Sequence, residues 1–182
     1  MPVIRNLALA VVVIYLLVAF LLFLLQTRLI FYPGKLTKNF PFKTGDRAQE
    51  LFLKTSDGQT INALFFRKNT PDVILYFHGN AGDLSGWQYV ADDFSNLPYS
   101  FLIIDYRGYG KSSGRISERG LYLDAQAAFD YLIQAGFARK NILIYGRSIG
   151  SGVAVELASK NECKGLILES PYTSLSKLAN EK

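Results

Sequence analysis

Ile142 Leu143 Ile144 Tyr145 Gly146 Arg147 Ser148 Ile149 Gly150 is the stretch that decides the fold. Asn141 to Tyr145 reads as a strand and Ile149 to Ser159 as a helix. Between them, Gly146-x-Ser148-x-Gly150 has the spacing of a nucleophile elbow, a turn that lifts a serine hydroxyl out of the end of a strand. The serine must then occupy a tight, strained turn, and the two glycines let strand and helix approach each other closely. The start of the helix aims free N–H groups and a positive dipole end at an oxyanion. The competing reading is a glycine-rich turn in which Ser148 merely caps the helix.

On either side of this stretch the same rhythm repeats. Val73 to Phe77 and Phe101 to Ile104 are near-continuous apolar runs, and Gly165 to Leu168 is a last one. Leu84 to Phe94 and Gly120 to Ala135 read as helices, the second with Leu121, Ala125, Ala128 and Leu132 at three- and four-residue steps. Apolar strands alternating with helices imply an α/β fold with a mostly parallel sheet covered on both faces. Glu50 to Thr55 and Thr60 to Phe66 flank Ser56 Asp57 Gly58 Gln59 and read as a hairpin.

Ligands of such sheets bind at the carboxyl ends of the strands, so the residues just after each strand carry the chemistry. Here they are His78 Gly79 Asn80 Ala81 Gly82, then Asp105 Tyr106 Arg107 Gly108 Tyr109 Gly110, then the elbow, then Glu169 Ser170 Pro171. The backbone N–H groups of Asn80 and Ile149 are the expected pair of oxyanion donors, with His78, Gly79, Gly146 and Gly150 supporting them. His78 is the single histidine in the chain. It is a candidate general base, yet it lies in the oxyanion loop itself, and bracing of neighbouring backbone is the expected role.

Two nucleotide motifs are excluded. Gly110 Lys111 Ser112 ends like a phosphate loop, but Asp105 stands where the first glycine is required. Gly108 to Gly114 has one residue too many for a dinucleotide fingerprint. One histidine and one cysteine, Cys163, are too few for a metal cluster, and a lone cysteine forms no internal disulfide. No metal or cofactor is expected.

The chain has 182 residues, 49% of them hydrophobic and 19% charged, which excludes a disordered chain. Leu7 to Leu25 is a run of 19 apolar residues broken only by the hydroxyl of Tyr15, long enough to span a bilayer as one helix. An uncleaved anchor is the expected reading; a signal peptide, whose apolar region is usually shorter and followed by a cleavage site, is the alternative. Seven of the 20 basic residues fall in 1–54 against two of the 15 acidic ones, leaving 13 of each in 55–182. No nucleic-acid surface follows from that balance, whereas a basic juxtamembrane stretch beside anionic lipid does. The basic residues after the anchor place the globular part on the cytoplasmic side. The expected organisation is a single-pass anchor in 1–25, a basic linker in 26–48 marked by Pro33, Gly34, Pro41 and Gly45, with Phe31, Tyr32, Phe40 and Phe42 at the membrane interface, and a partial catalytic domain in 49–182.

Taken together, His78 Gly79 Asn80, Asp105 to Gly110, Gly146 to Gly150 and Leu168 Glu169 Ser170 Pro171 resemble the membrane-anchored branch of the α/β-hydrolase superfamily. The resemblance runs from about Glu50 to the end of the chain. It implies Ser148 as nucleophile, Asn80 and Ile149 as oxyanion donors, and hydrolysis of an ester, thioester or amide through an acyl-serine, on acylated or lipid-like substrates. In that family the acid follows the seventh strand and the histidine the eighth, so both are expected beyond Lys182. The C-terminal strands are thus expected to be missing, which makes the chain a fragment, the product of an interrupted gene or one half of a complemented pair. Loss of those strands leaves the sixth as an apolar edge. The alternative function is a catalytically inactive module that keeps the elbow as architecture and binds a partner or a lipid.

Overall fold

A computed structural model describes residues 2–172. The chain divides after Tyr32 into two compact units. The first is a single helix, α1 (Pro2–Ile30), with no buried residue, long and apolar enough to cross a membrane by length and composition. It runs five residues past the Leu25 end of the apolar run, because Gln26, Thr27 and Arg28 are also compatible with a helix.

The second unit is built on one six-stranded sheet. Its strands are β1 (Gln49–Lys54), β2 (Thr60–Phe66), β3 (Val73–Phe77), β4 (Ser100–Ile104), β5 (Ile142–Arg147) and β6 (Gly165–Glu169), in the spatial order β1-β2-β4-β3-β5-β6. β2 is antiparallel to both of its neighbours, and β4, β3, β5 and β6 are parallel. Every residue of β3 and β4 is buried, as near-continuous apolar runs require when both faces are covered. β3 is central: the next strand in sequence pairs on one side of it and β5 on the other. Crossovers leaving in opposite directions open a crevice at the carboxyl ends of these strands, which is where the loops singled out from sequence lie.

The long helix α4 (Glu118–Gln134) starts at Ser117, whose side chain accepts the N–H of Gly120, and it buries Leu121, Ala125, Ala128, Phe129 and Leu132. The helix expected over Leu84 to Phe94 is instead two single turns, α2 (Leu84–Trp87) and α3 (Val90–Asp93). The reason lies in the hydrogen bonds. The N–H groups of Gly86, Ala91 and Asp92 bond to carbonyls three residues back, at 3.0, 3.4 and 3.0 Å, and the Gln88 amide is diverted to Ser85 O and to the Lys43 N–H. Leu84 and Ala91 still reach the core, where they pack with Tyr76, Phe101 and Ile103.

The segment after Tyr32, part of the basic linker expected over 26–48, is fastened to the domain. Gly34 donates to Gly82 O at 2.8 Å, Gly110 donates to Gly34 O at 2.9 Å, and Leu36 donates to Gly110 O at 3.2 Å. Lys111 Nζ donates to Phe40 O at 2.9 Å, pairs with Glu50 at 2.8 Å and sits 4.6 Å above the Phe42 ring. Phe42, expected at the membrane interface, packs instead against the core. Glycine at position 34 is a matter of space, since a Cβ there would strike the Asp83 carboxylate.

A second fastening joins the β1–β2 turn to the loop after β4. Arg107 is buried between Asp124 and Asp57, with its Nε 3.0 Å from Asp124 Oδ1 and its Nη1 2.8 Å from Asp57 Oδ2. The guanidinium holds the Asp57 carboxyl well below the ordinary carboxylate range, helped by the Thr55 hydroxyl. A carboxylate whose folded value lies below its unfolded value adds stability above the unfolded value and loses it as pH falls through the folded one. Asp57→Asn therefore lowers the urea midpoint at neutral pH, and its deficit against the parent protein closes only in strongly acid solution. A deficit that vanishes already near pH 4 to 5 would contradict the pairing.

Candidate active site

At the end of β5 the chain turns into α5 (Ile149–Lys160) through Ser148, an exposed residue with φ 53° and ψ −119°. Few non-glycine residues adopt a positive φ, and the conformation costs of order 1–3 kcal/mol where the surroundings enforce it. The enforcement is visible. A Cβ on Gly146 would lie 2.5 Å from Gly150 O and 2.6 Å from Ala154 Cβ, and one on Gly150 would lie 2.7 Å from His78 O. The two glycines thus let the first turn of α5 rest directly on the backbone of β5 and on the end of β3. Ser148 is pinned on both sides: its N–H donates to Glu169 O at 2.8 Å, and its carbonyl accepts from the backbone and hydroxyl of Ser151 at 2.9 and 2.6 Å. Only the side chain is left to face outward. The N–H of Ile149 lies in the first turn of α5, where a helix supplies no acceptor of its own.

The loop after β3 lies alongside. A Cβ built on Gly79 would be 3.7 Å from Ser148 Cβ and 3.4 Å from the Trp87 ring, so Gly79 passes between the elbow and α2. Asn80 follows it, half-buried, with its carbonyl accepting the Tyr109 hydroxyl at 2.7 Å. The structure therefore brings Ser148, Gly79, Gly146 and Gly150 together, with Asn80 next in the chain and Ile149 opening the helix.

His78 is fully buried on the inner side of this loop. Its Nδ1 is 2.7 Å from Gly79 O, and because a carbonyl can only accept, that nitrogen carries a proton. Its Nε2 is 3.5 Å from Asp105 Oδ1. The ring packs against Tyr106 and Trp87 at centroid distances of 4.5 and 5.4 Å. Burial raises the Asp105 carboxyl above its ordinary range, opposed by His78 and by the Leu84 N–H, which donates to it at 3.0 Å. Both ring nitrogens thus face protein groups, Gly79 O and the Asp105 carboxylate.

Glu169, at the end of β6, is held by Arg147 Nε at 3.1 Å and by the Tyr145 hydroxyl at 3.0 Å. Arg147 in turn lies 5.5 Å over the Trp87 ring, whose Nε1 donates to Ala81 O at 2.8 Å. This rim of Trp87, Arg147 and Glu169 was not expected from sequence. Its one legible signal is position, since Arg147 flanks the serine and Glu169 directly follows a strand. Among the described residues no group of three or more His, Cys, Asp or Glu is arranged to hold a metal ion.

A profile of the family described as "Serine aminopeptidase, S33" matches residues 68–181, most of the second unit. The chain belongs to this family of α/β-hydrolases. Among curated relatives of this S33-family chain, protein bem46 of Schizosaccharomyces pombe is 40% identical over 135 residues, covering 70% of the chain and 45% of that protein. The α/β-hydrolase domain-containing protein 17C of Mus musculus is 36% identical over 133 residues, covering 71% and 42%. Among solved structures, an esterase of Pyrococcus furiosus superposes with a TM-score of 0.69 at 20% identity, over 83% of the chain and 61% of the esterase, a likeness of fold alone. An α/β-hydrolase of Vibrio vulnificus superposes with a TM-score of 0.66 at 28% identity, over 74% and 49%. The chain spans about half the length of the curated relatives it matches.

The strain at position 148 is measurable. Ser148→Gly should raise the unfolding free energy by about 1 kcal/mol, the lower end of the cost of an enforced positive φ. Ser148→Ala should not. Glycine ordinarily weakens a helix start relative to alanine, so equal urea midpoints for the two variants would mean that the backbone at 148 is unstrained.

Proposed function

We propose that this chain is the nucleophile-bearing part of a membrane-anchored serine hydrolase that cleaves an ester, thioester or amide through an acyl-Ser148 intermediate. The single observation that carries the reading is Ser148 itself, exposed and held at φ 53° above the first turn of α5. A strained backbone at a residue whose side chain alone is free is difficult to explain as architecture, because a glycine would adopt the same turn without cost.

In the proposed reaction a histidine imidazole takes the proton of Ser148 Oγ as that oxygen attacks the carbonyl carbon. The carbonyl π electrons move to oxygen, and the N–H groups of Asn80 and Ile149 donate hydrogen bonds to the resulting oxyanion. Collapse expels the leaving group, which takes the proton back from the imidazolium, and water repeats the sequence to release the acid. His78 is a poor source of that imidazole, since its ring is buried and turned to Gly79 O and Asp105. The base is therefore assigned to a histidine outside these 182 residues. Glu169, paired with Arg147 and Tyr145, is likewise not assigned the acid role.

The organisation proposed with it is an anchor within α1, a juxtamembrane segment from residue 26 to 48 and the hydrolase domain from residue 49. Support for the anchor is the apolar length of α1, and the alternative is a signal sequence. An anchor favours acylated or lipid-like substrates and, by the basic residues that follow it, a cytoplasmic domain. A fluorophosphonate probe, with imidazole added as the base these residues do not supply, should label the detergent-solubilised chain and fail to label Ser148→Ala. A well-folded parent protein that takes no label, or a Ser148→Ala variant that labels equally, overturns the reading in favour of an inactive module.

A further inference from the structure

Three successive carbonyls of the loop after β3 are each held from the protein side by a different buried side chain. The Tyr106 hydroxyl donates to His78 O at 2.8 Å, His78 Nδ1 donates to Gly79 O at 2.7 Å, and the Tyr109 hydroxyl donates to Asn80 O at 2.7 Å. Tyr106, Tyr109 and His78 are all essentially inaccessible to solvent. The two tyrosines come from one turn after β4, and Asp105 at its start faces His78 Nε2 at 3.5 Å. The turn is tight enough to need glycine at position 110, where φ is 44° and a Cβ would strike the Asp105 carboxylate. Its rings pack on that of His78 at 4.5 and 5.5 Å and on each other at 5.7 Å.

A peptide unit is planar, and in the trans form its C=O and N–H point in opposite directions. No cis peptide occurs among the described residues. Fixing the carbonyls of residues 78, 79 and 80 inward therefore sends the N–H groups of 79, 80 and 81 outward. The carbonyl held by His78 and the N–H of Asn80 belong to the same plane, and Gly79 lies beside Ser148. We propose that Tyr106, Tyr109 and the His78–Asp105 pair are positioning residues that aim the Asn80 N–H at the oxygen of a substrate on Ser148. This rests on the serine hydrolase reading above and assigns to the Asp105–Gly110 turn the work of shaping its oxyanion site. None of the four residues touches the reacting atoms; each acts through a backbone carbonyl.

The test uses the full chain in detergent micelles with Tyr106→Phe and Tyr109→Phe, which each remove one oxygen and keep the ring. Phosphonylation by a fluorophosphonate builds negative charge on the probe oxygen, so the rate at saturation reads the oxyanion site while the half-saturating concentration reads probe binding. We expect Tyr109→Phe to slow that rate about tenfold, the scale on which a small misplacement at an active site is felt, with probe binding and melting temperature unchanged. Amide exchange at Asn80 should speed up in parallel. A merely structural hydroxyl would lower the melting temperature and leave the rate alone, and that outcome in both tyrosine variants overturns the proposal. If the parent chain takes no label, the serine reading fails by itself. The brace is then judged on exchange at Asn80, where an unchanged rate in Tyr109→Phe overturns it.

Discussion

The contact on which the site depends is that of backbone against backbone where α5 begins. Gly146 and Gly150 have no side chains to hold the helix away from β5 and β3, so the first turn of α5 lies on the carbonyls of Phe77 and His78. That closeness leaves residue 148 no ordinary conformation, and the positive φ of the serine follows from it. The cost is offset by burial of Ile142, Ile144, Val153, Ala154 and Leu157 on either side of the turn, each apolar side chain contributing of order 1–3 kcal/mol. A strained residue is stable only where its surroundings over-determine it, and here the hydrogen bonds to Glu169 O and from Ser151 do so.

The same economy governs the polar groups beneath the crevice. His78, Asp105, Arg107 and Asp124 are buried, and a buried charge or hydrogen-bonding group without partners costs more than its pairing returns. Each is committed. Asp105 takes the Leu84 N–H and faces His78, whereas Arg107 bridges Asp124 and Asp57. All these partners belong to different segments: the β1–β2 turn, the loops after β3 and β4, and α4. The result is that the loop beside Ser148 is fixed in place by groups that have no access to a substrate.

How much of this was legible in the sequence depends on where the cause lies. Continuous apolar runs announce buried parallel strands, and G-x-S-x-G after such a run announces the elbow, because in both cases the cause is local. Residues 26–48 read as a linker because Pro33, Gly34, Pro41 and Gly45 look like breakers. Gly34 is small for another reason: it passes against Asp83 and Gly82, residues 48 positions away or more. The break between α2 and α3 hides in the same way, since Gln88 looks like a helix former until Lys43 claims its side chain. Tyr106 and Tyr109 lie in a turn that its place after a strand had singled out, but their individual contacts had no signal. Their partners are main-chain carbonyls, which are the same at every residue and leave no pattern to read.

The position of His78 shows why a single histidine in a hydrolase-like chain need not be its base. A general base must reach the proton it removes and must carry a positive charge after removing it. The site that makes His78 an effective brace opposes the first. Its Nδ1 is tied to Gly79 O at 2.7 Å, so moving the ring toward Ser148 would release the loop it holds. Its three aromatic neighbours, Trp87, Tyr106 and Tyr109, pack around the ring, and its Nε2 faces the Asp105 carboxylate at 3.5 Å. Bracing and proton transfer thus ask for opposite environments, one dry and rigid, the other open to the nucleophile. His78, the one histidine of these 182 residues, sits in the first.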